Sequence, residues 1–188
     1  MLPEGRLQLY CDLLLQWQKS INLIAPTTVG NVWERHFVDS VQLLDFIPNH
    51  AQTICDIGSG AGFPGMVLAI MRPDLQFHLI ESDARKCAFL QTVSRETVCK
   101  NVVIHNDRIE NVIGDIDGDL ITARALASLK SLIDYCYPSH QDFLLLKGKN
   151  WRDEVSGAQK KYQFDLTDHV SKTDAEARIL TVGKIVEI

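Results

Sequence analysis

The segment Asp56-Ile57-Gly58-Ser59-Gly60-Ala61-Gly62-Phe63-Pro64-Gly65 constrains the fold of this chain more than any other. It follows a short apolar run, Thr53-Ile54-Cys55-Asp56-Ile57, and leads into a helix-like stretch from Pro64 to Met71. Glycines at such a turn admit positive φ and let a ligand approach the backbone with no Cβ in the way. Pro64 suits the first turn of the helix that follows. In an open α/β sheet the first strand-to-helix turn borders the ligand crevice beyond the carboxyl ends of the strands. Four glycines in eight residues there cost chain entropy, so the segment predicts a ligand rather than a bare turn.

The rest of the chain supplies the sheet. Gln76 to Glu81 is a second strand and Ala84 to Thr97 a second helix. Val102 to His105 is a third strand; Asp119 to Ala123 is a fourth, followed by helical spacing through Tyr135. Phe143 to Leu146 is a fifth, ending in Lys147-Gly148. This alternation means an α/β fold with a doubly wound, mostly parallel sheet covered on both faces. Tyr162 to Val170 and Arg178 to Glu187 are two longer strands, an antiparallel pair at one edge that brings the sheet to seven. Ahead of the sheet, Leu7, Leu9, Tyr10, Leu13, Leu14, Trp17 and Ile21 recur at helical spacing, predicting an amphipathic helix from Glu4 to about Ile24. After Ala25-Pro26-Thr27, Thr28 offers an N-cap for another helix to about Phe46. The division expected is a helical N-terminal appendage over 1–48 and a ligand-binding α/β domain over 49–188.

Composition narrows the function. The 188 residues carry 24 acidic against 19 basic side chains, a formal net charge of -5, which argues against binding nucleic acid by bulk electrostatics. No apolar run approaches the roughly 18 residues of a membrane span, and the N-terminus lacks the order of a signal peptide. The five cysteines are an odd number with no CxxC pair, and the histidines are scattered. A cytoplasmic protein with reduced thiols, no metal site and no membrane partner is the expectation.

Two ligands compete for the glycine loop. Gly60 to Gly65 satisfies GxGxxG with Glu81 about 20 residues on, as a nicotinamide dinucleotide site requires. An S-adenosylmethionine site uses the same turn differently: Asp56 lies near the amino-acid end and Glu81 accepts from both ribose hydroxyls. Three features favour the second reading. Asp56 would repel a pyrophosphate. The parallel strands finish in a hairpin, not in a second mononucleotide-binding half. No room is left for a separate substrate domain. The segment therefore points to a methyltransferase, with Asp56, Gly58, Gly60, Gly62 and Glu81 as cofactor contacts. A nicotinamide-dependent oxidoreductase and a catalytically silent RNA-binding or assembly factor on the same fold are the alternatives.

Over nearly its whole length the chain resembles the bacterial family of ribosomal RNA small subunit methyltransferase G, also called glucose-inhibited division protein B. The resemblance rests on Trp17 with Asn22-Leu23, Arg35-His36-Phe37-Val38-Asp39-Ser40, the glycine segment with its Gly-Phe-Pro-Gly ending, Arg72-Pro73, Arg85-Lys86, Arg108-Ile109-Glu110, Thr122-Ala123-Arg124-Ala125 and Leu146-Lys147-Gly148. Phe63 and Ile24 stand where the family often has Leu and Thr, and the chain is at the short end of the family. The resemblance implies an S-adenosylmethionine-dependent Rossmann-like enzyme that methylates N7 of a guanine in small-subunit ribosomal RNA. It further implies that Gly58, Phe63, Ile109, Glu110 and Arg124 contact the cofactor while Glu81 holds the ribose.

Guanine N7 has a lone pair and no proton, so this chemistry needs alignment rather than a general base, which agrees with the lack of an acid–base constellation. Arg124, read as an unpaired guanidinium leaving the fourth strand into the crevice, is the expected catalytic residue. Arg35, His36, Arg85, Lys86, Arg124, Lys147 and Lys149 are the expected RNA contacts. For Arg35 an i, i+4 bridge to Asp39 is the bland alternative, and for His36 a packed core position. Asp115, Asp117 and Asp119 read as a solvated turn. A monomer acting on small-subunit ribosomal RNA, free or within the 30S subunit or a precursor, is the expected working form.

Overall fold

The computed structural model describes residues 2–139 and 142–188. Strands β1 (Thr53–Ile57), β2 (Gln76–Ile80), β3 (Val102–His105), β4 (Leu120–Arg124) and β5 (Phe143–Lys147) are parallel; β6 (Tyr162–Val170) and β7 (Arg178–Glu187) are antiparallel. The order is β3-β2-β1-β4-β5-β7-β6, with β7 inserted between β5 and the edge strand β6. The order in which strands are added therefore reverses between β1 and β4, and the crevice there is where such sheets bind ligands. The predicted α/β sheet of seven strands is found, with the tail hairpin at its edge.

The strands are apolar runs because both faces are covered. On one face Ile54, Phe77, Leu79, Leu144 and Leu146 pack with α1 (Pro3–Trp17), α3 (Gly65–Met71), α4 (Ala84–Glu96) and the segment leading to Ile47. On the other, Cys55, Ile57, Ile80, Ile121 and Leu145 pack against α6 (Leu129–Cys136) and α7 (Trp151–Ala158). Residues of the N-terminal helices thus belong to the same core as α3, α4 and the sheet. Arg6 of α1 ties these layers together, its guanidinium donating to the Thr97, Ile70 and Val98 carbonyls near the ends of α4 and α3. A cation at those carbonyls also complements the helix dipoles.

Three local expectations need correction. The first helix ends at Trp17 rather than near Ile24. The Gln18 amide replaces the next turn: its oxygen accepts from the Leu23 and Ile24 N–H groups at 2.9 and 3.0 Å, and its nitrogen donates to the Ile24 carbonyl. The second N-terminal helix is not one regular α-helix. It is a 3-10 stretch Pro26–Asn31, a π-helix Trp33–Val38, the single α-turn α2 (Asp39–Val41) and another 3-10 stretch, Gln42–Phe46. The Ser40 hydroxyl donates to the His36 carbonyl, the side chain-to-backbone bond that accompanies irregular helix geometry. Thr28 is inside the first 3-10 stretch and is not an N-cap. Finally, α7 and the short turn α5 (Ile109–Val112) were not expected.

Candidate functional site

A cavity of about 850 Å³ opens at the carboxyl ends of β1, β2, β4 and β5. Gly58 and Gly60 line it with φ of 64° and 59°, left-handed conformations that disfavour any side chain. A Cβ on Gly60 would meet nothing closer than the Gly58 carbonyl at 3.9 Å, so this backbone is bare toward the cavity. Ser59 N–H donates to the Ile80 carbonyl and ties the loop to β2. Glu81, just past β2, completes the cradle: its two oxygens accept from Gly60 N–H at 2.9 Å and Asp83 N–H at 2.8 Å. A carboxylate has about four acceptor sites, so each Glu81 oxygen retains one for a ligand. Ile109 and Glu110 line the same side of the cavity, beside Asp107 and Arg108.

Two of the expected cofactor contacts in the glycine segment, Asp56 and Gly62, do not line the cavity. Asp56 is fully buried behind the loop: Oδ1 accepts from the Thr122 hydroxyl at 3.0 Å, and Oδ2 has no hydrogen-bond partner among the described residues. Burial pushes its carboxyl up to about 6, against the pull of the Thr122 hydroxyl and the Arg124 charge. Gly65 is a glycine because a Cβ would lie 2.5 Å from the Asp56 Cβ. Gly62 is likewise a packing glycine, where a Cβ would meet Tyr10 Oη at 2.5 Å and Met66 Cβ at 2.8 Å. The direct cofactor contacts expected of Asp56 and Gly62 are replaced by support of the loop from behind.

The opposite wall is built by Arg124. Leu120, Thr122 and Arg124 alternate onto the face covered by the N-terminal helices, as a strand's period of two requires. Arg124 is not unpaired, as the sequence suggested. It donates through Nη1 to the Arg35 carbonyl at 3.0 Å and through Nη2 to His36 Nδ1 at 2.7 Å; its ion pair with Asp39 Oδ2 is 3.5 Å. Its guanidinium lies 5.0 Å from the centroid of Phe63. The Phe63 ring is fixed in turn by Tyr10, stacked at 5.4 Å, and by the edge of Phe37. Tyr10 also donates its hydroxyl to the Ala61 carbonyl, so α1 holds the glycine loop directly. Burial lowers the Arg124 pKa, and the Asp39 charge opposes that shift.

His36 is buried, as its bland alternative supposed, yet it lines the cavity. Burial, with the charges of Arg124 and Arg35, pushes its imidazole down to about 4, so it is neutral at pH 7. Of the remaining basic residues, Arg35, Lys86 and Lys147 line the cavity. Arg35 bridges to Asp174 at 3.2 Å, not to Asp39. Arg85 is exposed and pairs with Asp83, the N-cap of α4. Lys147 is not a free RNA contact: only 7% exposed, it donates to the Ala127 carbonyl at 2.6 Å and pairs with Glu154 at 2.7 Å. Glu154 also accepts from Leu129 N–H, so the pair joins β5, α7 and the loop after β4. In that loop Ala125 is held at φ 52° and Leu126 lies over Gly58. Tyr10, Thr28 and Asp39 are site-building residues that sequence reasoning did not assign. The polar group within the apolar stripe of α1 was the available signal for Tyr10.

The strand order, the glycine turn and the acid after β2 define the Rossmann-like class of S-adenosylmethionine-dependent methyltransferases. Solved structures agree on the fold. The precorrin-6y C5,15-methyltransferase from Geobacter metallireducens superposes with a TM-score of 0.60 at 15% identity, covering 88% of this chain and 91% of that one. M. capricolum TrmK in complex with S-adenosyl-homocysteine gives 0.58 at 11% identity, covering 77% and 67%. The chain belongs to the family of rRNA small subunit methyltransferase G, whose sequence profile matches residues 4–181. A relative of that name from Paramagnetospirillum magneticum is 45% identical over 184 residues, covering 96% of this chain and 88% of its own. One from Rickettsia felis is 41% identical over 186 residues, covering 97% and 94%. This membership sets aside the oxidoreductase alternative.

Proposed function

We propose that this chain transfers the methyl group of S-adenosylmethionine to N7 of a guanine in small-subunit ribosomal RNA. The observation that carries the reading is the pairing, across one cavity, of a bare glycine backbone and Glu81 on one wall with Arg124 on the other. S-adenosylmethionine, when bound, supplies an electrophilic sulfonium methyl. Gly60 fits it because the backbone is open there, Gly58 because its positive φ shapes the turn under Leu126, and Glu81 because its oxygens keep acceptor sites for ribose hydroxyls. Ile109 gives the adenine an apolar neighbour, and Glu110 stands beside it. Phe63 contributes the ring over which Arg124 lies.

Nothing on the protein has to remove a proton, because guanine N7 has a lone pair and no proton at neutral pH. The wall around Arg124 matches that requirement: His36 is already engaged with Arg124 and Thr28, and Asp39 with Arg124 and Thr173. Arg124 donates to the O6 edge of the target base and leaves N7 free to attack. The protein's contribution is then alignment and exclusion of water. The target base has to be exposed, since the deep groove of A-form RNA admits no side chains. Arg35 and Lys86 at the rim meet the RNA backbone. The helices over 1–48 act as a fixed wall of the site, and the working form is a cytoplasmic monomer. Its large exposed apolar residues are scattered over termini, turns and edges, such as Leu2, Val98, Val170 and Ile188, and its cysteines are all free and buried.

The test has two arms. Labelled S-adenosylmethionine is expected to transfer methyl to small-subunit RNA, naked or in subunits, when this chain is added. Calorimetry is expected to show S-adenosylmethionine binding and no comparable NAD binding. Cofactor binding with no transfer to any form of the RNA would favour a silent assembly factor instead.

A further inference from the structure

Arg124 is held by a hydrogen-bond chain whose direction is fixed throughout. A guanidinium has only donors, so His36 Nδ1, 2.7 Å from Arg124 Nη2, must accept. A neutral imidazole accepting at Nδ1 carries its proton on Nε2. That nitrogen lies 2.8 Å from the Thr28 hydroxyl, which accepts from it and donates its own proton to the Ala25 carbonyl at 2.8 Å. Every donor meets an acceptor. We propose that Thr28 and His36 are positioning residues for Arg124, with Thr28 selecting the Nε2–H tautomer so that His36 presents a lone pair to the guanidinium at the cavity wall.

The irregular helix makes this arrangement available. The 3-10 stretch brings Thr28 to the cavity wall beside His36, and the π-helix that follows places Arg35 and His36 over Arg124. Asp39, one residue beyond it, supplies the opposite charge and is itself held by the Thr173 hydroxyl at 2.7 Å and the Gln42 amide at 2.9 Å. Arg124 is thus contacted from one side by a neutral acceptor and from another by a carboxylate, which fixes the plane of its fork. Loss of the Thr28 hydroxyl removes the acceptor for Nε2–H. The imidazole is then free to take the other tautomer, which points a proton at a guanidinium that has none to accept with. The role rests on the methyl-transfer reading above for its consequence, but not for its geometry.

The test compares variants that each keep one half of the relay. Asn at position 36 places its amide oxygen near the position of Nδ1, whereas Gln reaches toward Thr28 and leaves Arg124 without its acceptor. His36→Asn is expected to keep kcat within about 3-fold, and His36→Gln to lose about 100-fold, the scale of a reacting group misplaced by about 1 Å. Thr28→Val is expected to lower kcat about 10-fold and Thr28→Ser to restore it, with KM for S-adenosylmethionine unchanged in all four. Imidazole ¹⁵N spectra of the whole protein are expected to show His36 protonated on Nε2 in the wild type and a changed tautomer balance in Thr28→Val. A wild-type His36 protonated on Nδ1, or equal kcat for the Asn and Gln variants, overturns the proposal. A wild type that transfers no methyl overturns the methyl-transfer reading instead, and the ¹⁵N spectra still decide the relay.

Discussion

Arg124 and Glu81 are each held by several partners, and their replacements have distinct expected outcomes. Lysine at 124 keeps the charge but loses the planar fork. Arg124→Lys is expected to stay folded by circular dichroism and to lose about 100-fold in kcat. Arg124→Ala also strands the Asp39 carboxylate, which adds a destabilisation of about 3 kcal/mol, readable in urea melts. Glu81→Gln is expected to weaken S-adenosylmethionine binding by 10-fold or more in calorimetry, since bonds to a charged acceptor are worth about 1.5–3 kcal/mol; unchanged affinity would remove Glu81 from the site. Two buried groups should tilt stability with pH in opposite senses. His36 is lowered from 6.5 to about 4, so the unfolded chain binds its proton more readily, and stability is lost as pH falls through that window. Asp56 is raised from 3.8 to about 6, so the folded chain binds the proton more readily, and stability is lost as pH rises through that window. Between pH 4 and 6 the stability of Asp56→Asn should therefore climb more steeply with pH than that of the wild type, and that of His36→Asn less steeply. Urea midpoints at several pH values decide this, and the reverse ranking would contradict the assignment of the two groups.

The parallel strands were legible because both their faces are buried: runs such as Phe143 to Leu146 have no polar phase to confuse them. The hairpin strands β6 and β7 have the bounds read from the sequence, and so do β1 and β3. The helix α7 was not legible, since Ser156 and Gly157 are poor helix formers and only Trp151, Val155 and Ala158 turn inward. The break after Trp17 was hidden because the Gln18 side chain imitates a helical turn, and apolar spacing carries on through Ile21. On the site, the glycine turn and Glu81 were visible as motifs. The partners of Arg124 were not, because Arg35, His36 and Asp39 reach it across about ninety residues of chain. Lys147 shows the same limit: its motif suggested RNA, while its contacts join β5, α7 and the β4–α6 loop. Lys147→Met is expected to cost about 3 kcal/mol by leaving Glu154 uncompensated, and adding Glu154→Leu to recover a good part of it. Additive losses in that double-mutant cycle would show that the two side chains do not act as a pair.

For the whole molecule, charge and function are reconciled by location. A net charge of -5 opposes indiscriminate RNA binding, while Arg35, Lys86, Arg108 and Arg124 gather around one cavity. Few phosphates are then neutralised on binding, and the affinity for small-subunit RNA should fall only weakly with salt compared with basic RNA-binding domains. Filter binding across a salt series checks this, and a steep slope would point to a wider basic interface. The N-terminal helices share the core of the α3 and α4 face and supply His36 and Asp39 to the site, so one packed unit carries both the fold and its chemistry. The central claim is methylation of guanine N7 by that unit. Its most direct test is mass spectrometry of nuclease-digested small-subunit ribosomal RNA from cells with and without this chain. One N7-methylguanosine is expected to vanish without it and to return with the wild type but not with Arg124→Lys. An identical methylation map in both cell lines would contradict the account.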